Sequence, residues 1–100
     1  MNENQEKLSK NRYMVLRLSL ALECYEDDTN SHIPEIREIY KDIKYYREVK
    51  ANLTLEEELK ITNDIVEKFY KILGIIGEDN FNIEEDGYVE YIGEGVELNG

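Results

Sequence analysis

The sequence predicts an α+β protein that is mostly α: a three-helix bundle followed by a small acidic β-hairpin. Three observations carry this expectation. Apolar residues recur at the helical period over 8–26, 34–51 and 55–73. Thr54-Leu55-Glu56-Glu57 has the form of a capping box that starts a helix. Asp86-Gly87 stands between two alternating runs, the pattern of a hairpin over 80–92. The chain has 100 residues and no Ser/Gly-rich linker, which is one domain of ordinary size.

Residues 1–7 are polar and read as a frayed N terminus. In helix 1, Leu8, Val15, Leu18, Leu22 and Tyr25 form one apolar stripe, with Met14 and Ala21 at its edge. Tyr13, Leu16, Leu20 and Cys24 project to nearly the opposite side. A helix apolar on two sides has to be covered on two sides. Helix 1 is therefore either the central element of the domain or half of a homodimer interface. Residues 27–32 have the composition of a polar connector. Pro34 then suits the first turn of helix 2, where its missing N–H costs nothing. Ile36, Ile39, Tyr40, Ile43 and Tyr46 make the apolar face of that helix.

Helix 3 presents Leu55, Leu59, Thr62, Val66, Phe69 and Leu73, flanked by Ile61, Ile65 and Ile72. Gly74 is placed where a helix ends in a left-handed residue. In the hairpin, a two-residue Asp86-Gly87 turn would set Phe81 opposite Ile92 and Ile83 opposite Glu90. Phe81, Ile83, Tyr88 and Ile92 would then share one face, and Glu84, Val89 and Tyr91 the other. A two-stranded hairpin is marginal alone in water. It is expected to dock on the second apolar side of helix 1. Residues 93–100 read as a loose C terminus.

The charge is unevenly distributed. The chain carries 23 acidic and 12 basic residues, a net charge of −11. Eight acids fall in Gly74–Gly100, which has no Lys or Arg, so that quarter holds −8. Bare nucleic acid and anionic membranes repel such a surface, whereas basic protein grooves attract it. No apolar run approaches the roughly 18 residues of a membrane span, and no signal-peptide core follows Met1. A cytoplasmic location in a bacterial host cell is expected. The abundance of Ile, Asn, Lys, Glu and Tyr beside only two Ala fits AT-rich codons of a low-GC bacterium or its phage.

Motifs for chemistry are few. The single His, His32, lies in a polar loop, and the single Cys, Cys24, lies on an apolar helix face. That leaves no nucleophile–base pair, disulfide or zinc set. No phosphate-binding glycine motif is present. Asn82, Glu84, Asp86, Gly87 and Glu90 echo an EF-hand calcium loop, but Gly93 stands where the bidentate Glu is required. Arg37, Lys41 and Lys44, with Tyr45 and Arg47 nearby, could form a nucleic-acid face, which the net charge opposes. The expected catalytic, metal and cofactor sets are therefore empty.

The function expected is binding. Glu84, Glu85, Asp86 and Glu90 would supply charge, with Tyr88 and Tyr91 as amphipathic anchors of the kind enriched at interfaces. In size, acidity and Tyr content the chain resembles phage-encoded inhibitors of host nucleases, including anti-CRISPR proteins. It is similar also to bacteriocin immunity proteins, which are small, helical and acidic. The acidic charge implies a larger partner protein with a basic groove and no direct contact with nucleic acid or membrane. A dimeric helical adaptor, with an acidic tail that only aids solubility, is the alternative from a different class.

Overall fold

The structure, a computed structural model, describes residues 2–93. The expectation of a loose end beyond Gly93 lies outside the described residues. Three helices precede a two-stranded antiparallel sheet: α1 (Glu3–Thr29), α2 (Pro34–Val49), α3 (Leu55–Ile76), β1 (Phe81–Ile83) and β2 (Val89–Tyr91). Short 3-10 turns at Lys50–Asn52 and Glu78–Asn80 lead into α3 and β1. This is the mostly-α α+β architecture expected.

Several boundaries differ from expectation, each for a local reason. The first helix starts before Leu8. It begins at Glu3 because Asn2 accepts from the Gln5 N–H and the Gln5 side chain accepts from the Asn2 N–H. That is a capping box written with Asn and Gln. At its other end α1 runs three residues past Glu26. It stops at Asn30, whose left-handed φ of 55° lets its N–H bond the Glu26 carbonyl. Pro34 and the Thr54/Glu57 capping box start α2 and α3 as expected. Gly74, however, lies inside α3, and Gly77 at φ +101° ends it instead.

The core forms where the inner faces of the three helices meet. Leu18, Leu22, Ile36, Ile39, Ile65, Phe69 and Ile72 are at most 1% exposed. Burying each such side chain contributes roughly 1.5–3 kcal/mol before entropy. Polar groups enter this core only with partners. Asn11 Nδ2 donates to Thr62 Oγ1 at 3.0 Å and Asn63 Oδ1 at 2.8 Å. Glu58, 5% exposed, accepts two hydrogen bonds from Arg12 at 2.7 Å and one from the Tyr46 hydroxyl at 2.5 Å. The Arg12 hydrogen bonds outweigh burial and hold the Glu58 carboxyl below the usual carboxylate range. Burial first, and the bond to Glu58 second, push the Tyr46 hydroxyl up to about 12. These groups tie α1, α2 and α3 together at one end of the bundle.

Candidate protein-binding site

The hairpin carries the acidic residues, so its register decides what they face. Phe81 pairs with Tyr91, Asn82 with Glu90 and Ile83 with Val89. This is one residue out of the two-residue-turn register. The ladder continues through the Glu84 N–H to the Tyr88 carbonyl at 2.9 Å, and the Gly87 N–H bonds the Glu84 carbonyl at 3.1 Å. The loop is thus the three residues Glu85-Asp86-Gly87, a turn closed by a left-handed residue. Gly87 supplies that residue at φ +100°, and its Cα side presses on α1. A Cβ there would sit 2.9 Å from the Lys10 carbonyl oxygen.

A one-residue slip moves each side chain of a strand to the opposite face. Val89 and Tyr91, expected to face away from Phe81 and Ile83, join them against the helices. Val89 is 0% and Phe81 6% exposed. Phe81 meets Phe69 edge to face at 6.0 Å, and Tyr91 meets Tyr25 in the same way at 5.8 Å. The Tyr91 hydroxyl donates to Asp28. Burial first, and that bond second, push the Tyr91 hydroxyl up to about 12. Tyr91 is therefore a docking residue of the hairpin and not a free anchor for a partner. Tyr88 is half-buried, with the Arg17 guanidinium 4.5 Å from its ring centre. Arg17 Nε also donates to the Val89 carbonyl at 3.3 Å.

Through Lys10, Met14, Arg17, Tyr25 and Asp28 the hairpin lies along the edge of α1 next to its core stripe. It does not cover the second apolar side. Tyr13, Leu16 and Leu20 remain 40%, 51% and 44% exposed, and Cys24 is exposed beside them. Helix 1 is thus not a central helix enclosed on both sides among the described residues.

Glu84, Glu85, Asp86 and Glu90 are all exposed. Asp86 also holds the loop in shape, since its Oδ1 accepts from the Tyr88 N–H at 3.0 Å. Asn82 Nδ2 donates to Glu84 at 3.2 Å. Two further acids join the group. Glu78 and Asp79 line an open depression of about 520 Å³ together with Asn82, Ile83 and Glu90. The sequence puts both in the acidic quarter without assigning them to the site. The signal that could have placed them is Gly77, which turns the chain back after α3 and sets the 3-10 turn beside β1.

The other candidates are placed elsewhere. Arg37 bridges to Glu26 and stacks on Tyr40 at 4.9 Å, which uses one of the three cations of the helix-2 stripe to join α2 to α1. Lys68 of α3 bridges Glu38 at 3.1 Å and also Asp42, both on α2. Among the described residues no three acidic, His or Cys side chains converge on a metal-holding geometry. No helix among them is long and apolar enough to cross a membrane. No family model, curated protein or solved structure matches the chain.

Proposed function

We propose that this chain is a non-catalytic binding protein whose acidic hairpin surface occupies a basic groove on a larger protein. The partner class with such a groove is a nucleic-acid-binding protein of a bacterial host, for example a nuclease or a CRISPR effector, met in the cytoplasm. The chain would act there as an inhibitor that competes with nucleic acid. The observation that carries this reading is the exposure of Glu84, Glu85, Asp86 and Glu90 on a hairpin packed onto the helices through Phe81, Val89 and Tyr91. Glu78 and Asp79 extend the same negative surface. A tail that served solubility alone would gain nothing from being locked to α1 by Arg17 and Tyr25.

The test is capture from bacterial lysate at low and high salt, with a variant carrying Glu84→Gln, Glu85→Gln, Asp86→Asn and Glu90→Gln as control. Asn at 86 keeps the oxygen that holds the turn. Wild type should retain a nucleic-acid-binding protein at low salt, release it as salt rises, and lose it to added DNA or RNA. The variant should retain none of it while keeping the helical circular dichroism of wild type. Equal capture by both proteins, with equal salt sensitivity, would refute the proposal.

A further inference from the structure

The uncovered side of α1 carries an inference independent of the acidic hairpin. Tyr13, Leu16, Leu20 and Cys24 form a continuous apolar stripe at spacings of three and four, and nothing among the described residues covers it. Alongside the stripe itself, from Arg12 to Asp27, the exposed charges are sorted by position. Toward its N-terminal end lies a pocket of about 190 Å³ lined by Arg12, Leu16, Arg47 and Lys50 with Val15 and Tyr46. Arg47 and Lys50 are exposed and have no ion-pair partner among the described residues. Toward its C-terminal end lie Glu23 and Asp27, exposed and likewise without an ion-pair partner among the described residues.

We infer that a second copy of this chain covers the stripe, as an antiparallel two-fold dimer with its axis between Leu16 and Leu20. The surface is complementary to itself in that orientation alone. An isologous contact brings each patch against its own copy. Running antiparallel, Leu16 of one copy lies beside Leu20 of the other, and Glu23 comes level with the pocket whose unpaired cations are Arg47 and Lys50. Running parallel, the copies would set acid against acid at one end and base against base at the other. Like charges in register oppose association. The 27 residues of α1 span about 40 Å, long enough for a paired helix to run the length of the stripe.

Cys24 reports the orientation. In the antiparallel dimer the two Cys24 residues stand about 12 residues apart along the helix axis, roughly 18 Å. A disulfide needs Cα atoms within about 7 Å, so mild oxidation of the wild-type dimer gives no covalent product. Tyr13 of one copy lies nearly level with Cys24 of the other, so Tyr13→Cys gives a disulfide-linked dimer under the same oxidant.

The experiment is analytical ultracentrifugation across micromolar concentrations, followed by diamide oxidation and non-reducing electrophoresis. Wild type should sediment as a reversible dimer. Leu20→Glu, on an exposed position, should keep the wild-type circular dichroism and raise the dimer dissociation constant at least about tenfold. Glu23→Lys should weaken the dimer, and adding Arg47→Glu with Lys50→Glu should restore it. A monomeric wild type would overturn the inference, as would a dimer indifferent to Leu20→Glu. A wild-type dimer linked through Cys24 would establish parallel pairing and overturn the orientation. Failure of Tyr13→Cys to cross-link would do the same. None of these outcomes bears on the Glu84–Glu90 surface.

Discussion

Glu58 shows how one ionisable side chain can be both buried and stabilising. Its charge is compensated by Arg12 and Tyr46, and its carboxyl is held below the ordinary range chiefly by the Arg12 hydrogen bonds. A group with a lowered folded-state pKa binds fewer protons folded than unfolded. Its contribution to stability is present above the unfolded value, about 4.3 for Glu, and is lost as pH falls through the folded value. Glu58→Gln should therefore cost roughly 1–3 kcal/mol at neutral pH. The gap between the two proteins should close in acid, below about pH 4. Urea denaturation at a series of pH values reads this directly, and a constant gap would show that packing rather than charge is what the residue supplies. Gly87 makes the opposite case, a residue whose value lies in having no side chain. Its φ of +100° is one that other residues rarely adopt, and the Lys10 backbone lies where a Cβ would go. Gly87→Ala should cost at least about 1–2 kcal/mol. Because the clash is with backbone, no side-chain rotation relieves it. Equilibrium unfolding of the variant checks the loss. Retained stability would mean that the hairpin tip can lift from α1 freely.

At the scale of elements, the helices are legible in the sequence because their periodicity is redundant. Each inner stripe repeats its apolar residues four or five times, so one misjudged position does not change the outcome. Ends are set by single residues, and there the pattern says less. The Asn2/Gln5 capping box is hard to see because it lacks the Ser, Thr and Glu of the common form. Gly74 has the look of a terminator, yet the chain offers a second glycine, Gly77, three residues on. The helix passes the first because Ile75 and Ile76 extend it, with Ile76 packed against the core. Gly74 is thus a helical glycine with nothing within 4 Å of the place its Cβ would occupy. Gly74→Ala should stabilise the protein by about 0.5 kcal/mol, through the lower chain entropy of the unfolded state. For a domain of this size that is a rise of about 2–4 °C in Tm, measurable by calorimetry. The hairpin register is hidden for a different reason. Asp-Gly fits both a two-residue turn and the last two places of a three-residue loop. Packing on α1 chooses between them, because only the longer loop turns Val89 and Tyr91 inward with Phe81. No local pattern in the sequence contains that choice. It also decides that Tyr91 packs into the fold, while Glu84, Glu85 and Asp86 stay exposed.

For the whole molecule the governing quantity is charge. A net −11 on 100 residues makes the folded chain repel itself, and the hairpin end is the most crowded part. Four described cation side-chain contacts oppose this, and each joins two different helices. Apart from Arg12–Glu58, whose carboxylate is buried, each pair has an exposed member: 52% for the Arg37 side chain, 37% for Lys68 and 63% for Glu38. Exposed pairs of that kind contribute about 0–1 kcal/mol each. Salt screens attraction and repulsion together, so the sign of its effect reports which is larger. The excess of negative charge outweighs a few weak pairs here. Raising sodium chloride from about 10 to about 150 mM shortens the screening length from about 30 to about 8 Å. The Tm of the free protein should rise over that range, and a fall would show that the ion pairs between helices dominate. The binding proposed for the acidic hairpin would have the reverse dependence, because the same ions would screen its attraction to a basic groove. One salt titration, followed once by melting and once by binding, should therefore give slopes of opposite sign. A complex that tightens with salt in step with the melting curve would mean that its interface is not the Glu84–Glu90 surface.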